Sequence, residues 1–250
     1  RTDRAAPFVA GRAAGTGPRM TTPRFGFTLG SEEYGPRPLV DQAVRAEELG
    51  FDFVSISDHF HPWVGAQGHS PFVWSVLGAI AGRTDTIGVG TGVTCPTVRI
   101  HPAVVAQAVA TTSLLFGDRF FFGVGSGEAL NEHILGHRWP PAGTRLAMLE
   151  EAVTLMRRMW SGEVVDHHGR FYDVENARLF DVPPTAPPVV VSAFGEASAT
   201  LAAEIGDGLF SVAPDRSVTE RFRAGGTDGP CYAQLTVAVA DDVERARATM

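Results

Sequence analysis

The sequence predicts a (β/α)8 TIM barrel, truncated at its C-terminus so that about seven strands are present. Short apolar runs alternate with helix-period segments from Arg24 onward, the pattern of βαβ units and a parallel sheet. Several runs are apolar without a break, Val189-Val190-Val191 most clearly, as strands covered on both faces are. No glycine-rich phosphate turn follows the first strand, which removes the main argument for an open doubly wound sheet.

The elements follow in order. Phe25 to Leu29 is a strand by composition, and Leu39, Val40, Ala43, Val44, Ala46 and Leu49 form a helical stripe stopped by Gly50. Phe51 to Ser57 is the second strand and Pro71 to Gly82 the second helix. Thr86 to Val93 is the third strand, followed by a helix over Pro102 to Phe116 with proline in its first turn. Phe120 to Gly125 is the fourth strand; the next helix is interrupted by Gly136 to Gly143 and runs from Arg145 to Trp160. Glu163 to Val174 reads as an inserted hairpin turning at His168-Gly169. Strand five is Val189 to Phe194, followed by a helix over Glu196 to Ile205. Strand six is Leu209 to Ala213 and strand seven Cys231 to Ala240, after which Asp241 to Met250 begins a helix. A closed barrel needs one strand more.

Length and composition fit one large domain over residues 24–250: 250 residues, 44% hydrophobic and 20% charged. Residues 1–23, rich in Gly, Ala, Pro and Arg, are expected to be a disordered leader, with Met20 as the natural start. That stretch lacks the apolar segment of a signal peptide. A net charge of −7, with arginines spread rather than clustered, gives no footprint for nucleic acid and no polybasic patch for a membrane. No apolar run is long enough to span a bilayer. Cys95 and Cys231 are far apart and read as reduced thiols of a cytoplasmic protein. The chain contains no lysine, which a GC-rich genome explains.

Active sites of such barrels lie at the carboxyl ends of the strands, and the unusual residues gather there. Ser57-Asp58-His59-Phe60-His61-Pro62-Trp63 follows strand two, and Gly90-Thr91-Gly92-Val93-Thr94-Cys95-Pro96-Thr97 ends strand three. Gly125-Ser126-Gly127-Glu128-Ala129-Leu130-Asn131-Glu132 follows strand four, and Ser192-Ala193-Phe194-Gly195 ends strand five. Glycine and serine permit close backbone approach, Asn and Thr offer hydrogen bonds and Trp63 an aromatic wall, a mixture suited to a flat aromatic ligand. Each piece alone has a plainer reading: Asp58-His59 as a structural pair, Trp63 as packing, Gly125-Ser126-Gly127 as a tight turn with Glu128 favouring a helix N-terminus. Their shared rim carries the argument. His59 and His61 also form the His-x-His of metal-dependent hydrolases, but strands five and six end in Ser192-Ala193-Phe194 and Val212-Ala213-Pro214, which supply no further ligands. No metal site is expected.

These loops resemble those of the luciferase-like monooxygenase superfamily, in the branch of F420-dependent glucose-6-phosphate dehydrogenases. The matching text is Ser-Asp-His-Phe-His-Pro-Trp at 57–63, Gly-His-Ser-Pro at 68–71, Gly-Thr-Gly-Val-Thr-Cys-Pro-Thr at 90–97, Gly-Val-Gly-Ser-Gly-Glu-Ala-Leu-Asn-Glu at 123–132 and Trp-Ser-Gly-Glu at 160–163. The resemblance implies coenzyme F420, a deazaflavin, with FMN as the alternative, and hydride transfer to or from a small-molecule substrate. It implies catalytic roles for His59 (proton transfer), Trp63 (stacking over substrate) and Glu128 (partner acid). It places Asp58, Gly92, Val93, Cys95, Ser126, Gly127, Asn131, Ala193 and Gly195 around the cofactor, with a non-proline cis bond at Gly92-Val93. A homodimer is implied for a complete chain. The departure concerns the substrate: the sugar-phosphate enzymes use lysines and an arginine on later loops, whereas this chain has no lysine and reads Ala213-Pro214-Asp215-Arg216 after strand six. A neutral alcohol, carbonyl compound or activated alkene is expected instead of glucose 6-phosphate. The competing expectations are an FMN-dependent monooxygenase and a non-catalytic cofactor-binding remnant.

Overall fold

A computed structural model of the chain describes residues 22–249. The expected leader therefore lies outside the described residues except at its last two positions. β1 (Gly26–Leu29), β2 (Phe53–Ile56), β3 (Gly88–Thr91) and β4 (Phe120–Val124) alternate with α1 (Pro36–Glu48), α2 (Val73–Ala81) and α3 (Pro102–Phe116). A short α4 (Ala129–Glu132) and the long α5 (Ala142–Met159) lead to the inserted hairpin, β5 (Val165–His168) and β6 (Asp173–Ala177). The scaffold resumes with β7 (Val189–Ser192), α6 (Glu196–Ile205), β8 (Gly208–Ser211), α7 (Arg216–Ala224), β9 (Cys231–Ala233) and α8 (Val243–Thr249).

Seven strands form one parallel sheet in the order β1-β2-β3-β4-β7-β8-β9, and β5 pairs antiparallel with β6 outside it. Each sheet strand lies beside its predecessor. A doubly wound sheet would reverse direction at a switch point, so this order selects the barrel. Curling is visible from the inside. The Tyr232 ring on β9 lies 5.2 Å from Phe53 on β2 and 4.8 Å from Phe121 on β4. In a flat sheet β9 and β2, five places apart, would be separated by roughly 24 Å at about 4.8 Å per strand. Phe210 on β8 completes the interior stack, 6.1 Å from Tyr232. Room for these rings comes from glycine. Gly26 pairs in register with Phe53 and Gly90 with Phe121, and a Cβ at either glycine would overlap the neighbouring ring. Among the described residues β1 and β9 share no ladder, so the barrel stands open between them.

The outer face carries the larger core. Phe122, fully buried, packs on Trp74 of α2 and on Trp160 at the end of α5. The Trp160 indole donates to Ala106 O at 3.0 Å, so its one polar atom is satisfied while the ring adds apolar area. On α1 the predicted stripe buries Leu39, Val40, Ala43 and Ala46, whereas Leu49 is exposed at the C-cap; Gly50 follows with φ 81°, the left-handed geometry that ends a helix.

Two parts of the sequence reading are corrected. The stretch after Ala224 is not strand over Cys231 to Ala240: only Cys231–Ala233 pairs with β8, because β8 itself ends at Ser211 and turns away, leaving Leu235, Val237 and Val239 exposed despite their alternation. And α7 was not anticipated. It buries only Val218 and Phe222, and Asp215 caps it by accepting from Ser217 N at 2.8 Å.

Candidate functional site

The loops at the carboxyl ends of β1, β2, β3 and β4 meet over the barrel interior, and His59 stands among them. Its side chain is 11% exposed, with Nδ1 2.8 Å from Glu32 Oε1 and Nε2 3.9 Å from Glu128 Oε2. A carboxylate beside Nδ1 favours the tautomer with the ring proton there, in which Nε2 is the free nitrogen. Burial alone would raise the Glu32 carboxyl, but the His59 ring, with help from backbone and the Ser57 hydroxyl, holds it below the ordinary carboxylate value. Trp63 meets His59 edge-on, ring centroids 4.8 Å apart, and is half exposed. Ser70 Oγ donates to His59 O at 2.8 Å, pinning the backbone beneath.

Asn131, 3% exposed, sits under the same loop. Its Oδ1 accepts from Phe60 N at 2.9 Å and His61 N at 3.0 Å, which orients the amide and leaves Nδ2 without a partner. Asp58 is buried; one carboxylate oxygen accepts from Arg99 at 2.8 Å, and Oδ2 has no partner. Thr94 Oγ1, fully buried, is also unpartnered. Glu32 Oε1, His59 Nδ1, Arg99 Nε and Glu132 Oε1 also lack a hydrogen-bond partner, and such a concentration on these loops is unusual, since buried polar groups are almost always satisfied. The Gly92-Val93 peptide is cis, at the predicted position.

The small residues of the turn after β4 are packed on by the protein itself. A Cβ on Gly125 would press on Val93 Cγ2, and one on Gly127, whose φ is 73°, would overlap Cys95 Sγ. Cys95 is buried, its Sγ 3.0 Å from Thr97 Oγ1, and burial pushes its thiol up to about 12, so it stays protonated. Ser126 is half-buried in the same turn. Ala193 is buried with its amide bonded to Phe210 O at 3.0 Å, while Gly195 is open on its Cα side and donates its N–H to Ser198 Oγ at 3.2 Å.

His59 and His61 do not converge. His61 Nδ1 lies 3.0 Å from Leu130 O, and its ring stacks on His133 at 5.5 Å. Among the described residues no helix is long and apolar enough to cross a membrane.

Two site residues escaped the sequence reading. Glu32 lies in the first strand-end loop, and the rule that every such loop faces the rim would have drawn attention to it. Arg99 had no signal of its own among many arginines, yet its side chain is 6% exposed between Asp58 and Glu132, both 1% exposed.

The model of the luciferase-like monooxygenase family matches residues 15–250. An F420-dependent glucose-6-phosphate dehydrogenase of Microbacterium testaceum is 44% identical over 193 residues, covering 77% of this chain and 57% of that protein. The corresponding protein of Amycolatopsis mediterranei is 40% identical over 225 residues, 89% and 67% respectively. A solved F420-dependent secondary alcohol dehydrogenase, in complex with an F420–acetone adduct, superposes with a TM-score of 0.85 at 33% identity, over 89% of this chain and 72% of that one. The chain spans 57% of the length of the first curated relatives it matches. With its strand order, its rim of loops and these matches in agreement, the chain belongs to the luciferase-like monooxygenase family.

Proposed function

We propose that this protein is an F420-dependent oxidoreductase that moves a hydride between the deazaflavin and a small neutral alcohol, carbonyl compound or activated alkene. The observation that carries the reading is the 2.8 Å approach of Glu32 to His59, on the rim whose loops also bury Asp58 Oδ2, Thr94 Oγ1 and Asn131 Nδ2 with no protein hydrogen-bond partner. Those atoms offer an acceptor, a hydroxyl and an amide donor, which suits the polar edge of a deazaflavin ring. Gly92, Val93, Cys95, Ser126, Gly127, Ala193 and Gly195 would form the rest of its cradle.

A bound deazaflavin supplies a two-electron hydride acceptor or donor that does not activate oxygen as a flavin does. His59 Nε2 takes the hydroxyl proton as a carbinol is oxidised, and returns a proton when a carbonyl or alkene is reduced. Glu32 holds Nδ1–H and stabilises the imidazolium that forms. Trp63 walls the substrate beside His59, and Glu128, half exposed at 3.9 Å, receives or relays the proton.

Glucose 6-phosphate fits poorly. The loop after β8 offers Asp215, whose carboxylate is engaged by Ser217 and which the Ser217 hydroxyl and amide hold below its ordinary value, and Arg216, paired with Glu220 at 2.6 Å. The proposal includes a cytoplasmic location, with Cys95 and Cys231 unbridged, and a homodimer. The outward face of α3 supports pairing: Val104, Leu114 and Leu115 are exposed there with no charged residue in the helix, and Phe72, just before α2, is exposed too.

Titrating purified protein with F420 and with FMN, then screening neutral alcohols against glucose 6-phosphate for deazaflavin reduction, tests the reading. Tight FMN binding with oxygen consumption would replace it by a flavin monooxygenase; F420 binding without turnover of any substrate would leave a cofactor-binding remnant.

A further inference from the structure

Arg99 lies in the loop after β3 and joins the two neighbouring loops through buried contacts. Its Nη2 donates to Asp58 O at 3.0 Å and to Asp58 Oδ1 at 2.8 Å. Its backbone N donates to Glu132 Oε2 at 2.6 Å, and its Nε lies 3.5 Å from Glu132 Oε1. Asp58 immediately precedes His59. Glu132 immediately follows Asn131, whose Oδ1 holds the amides of Phe60 and His61 just beyond His59. The contacts therefore close a circuit with His59 inside it. A planar guanidinium can serve both carboxylates at once, where an ammonium acts as a single point of charge.

We infer that Arg99 is a positioning residue of this site: its buried guanidinium holds Asp58 directly, and its charge together with its backbone N–H holds Glu132, the neighbour of Asn131, so that the chain is fixed on both sides of His59. The inference rests on the reading of His59 as the proton-transfer residue. The balance of charge agrees with it. One cation faces two buried carboxylates, and burial, reinforced by Asp58, raises the Glu132 carboxyl despite its bonds to Arg99. Without the guanidinium both acids would be left uncompensated in the wall of the site, and Asp58 would be free to turn away the oxygen it now leaves unpartnered.

R99K and E132Q in the full chain test this, by thermal melting, F420 affinity and the ring-nitrogen NMR signals of His59 recorded without coenzyme. R99K is expected to melt cooperatively, to bind F420 about 10- to 150-fold more weakly, the range for a lost charged hydrogen bond, and to shift the His59 signals. E132Q leaves Arg99 on Asp58 and is expected to weaken binding less. A lower melting temperature in R99K with affinity and His59 signals unchanged would reduce Arg99 to a staple and overturn the inference, as would E132Q weakening binding more than R99K. Should R99K alone not fold, R99K/E132Q, with the surplus carboxylate neutralised, is read by the same criteria. If the wild-type protein binds no F420, the proposed function fails, and the His59 signals still decide the role of Arg99.

Discussion

Replacing Glu32 by glutamine isolates what the carboxylate does for His59. The two side chains are 10% and 11% exposed and 2.8 Å apart, so water screens the pair little. Glutamine keeps the shape and an oxygen beside Nδ1 but removes the charge that favours the imidazolium. Hydrogen bonds to charged groups contribute about 1.5–3 kcal/mol, and about 1.4 kcal/mol is a tenfold change in rate. E32Q should therefore lower kcat by about 10- to 150-fold. KM should change little, because Glu32 acts behind the ring and its effect grows only as charge develops. H59Q removes the proton acceptor itself and should fall further, by about 100- to 10,000-fold. The assay is steady-state deazaflavin reduction with an alcohol the wild-type protein oxidises, run on both single variants and the pair. E32Q/H59Q should be no slower than H59Q, since residues acting as a unit are not additive. A kcat for E32Q within about twofold of wild type, or full additivity in the pair, would refute the coupling argued from the geometry.

Acid stability should track three carboxylates. Burial opposes ionisation of Glu47 and Glu151, but the amides of Thr86 and Ile87 for the first, and of Phe171 with the His167 ring for the second, hold both below the ordinary value, as His59 does for Glu32. A lowered folded-state value adds stability above the unfolded value of about 4.3, lost as pH falls through the folded value. Denaturation midpoints should thus drop with acidification below that point, and E47Q and E151Q should show a flatter drop. Thiol labelling of the native protein should modify Cys231, which is exposed, and spare Cys95, protonated and buried; both should react after unfolding. G127A combines a positive φ with overlap on Cys95 Sγ and should cost about 1–3 kcal/mol, or about 2–4 °C of Tm per kcal/mol.

Most of the scaffold was legible because buried parallel strands announce themselves. Val189-Val190-Val191 needs no partner to be recognised, and the hairpin at 165–177 carried its turn in His168-Gly169. The failures share a cause. Leu235, Val237 and Val239 alternate like a strand, but a ladder also needs a neighbour, and periodicity is silent about where β8 ends. In α7 the charged residues outnumber its two buried ones, so the cap at Asp215 was the stronger signal. At the site, His59, Trp63 and Asn131 were expected from motif text, whereas Glu32 and Arg99 had no such text and come to notice because three-dimensional closure brings them beside it. Gly127 was assigned to the cofactor; the contacts show it making room for Cys95, and Gly125 making room for Val93.

The interior rings have a consequence for how the rim is held. Phe53, Phe121, Phe210 and Tyr232 come from strands spread around the sheet and touch at its axis. Curvature is thus imposed from the hub outward, as spokes hold a wheel true, and does not depend on a seam between β1 and β9. The loops bearing Glu32, His59, Arg99 and Asn131 ride on a packed floor, so their mutual spacing is a property of the axis.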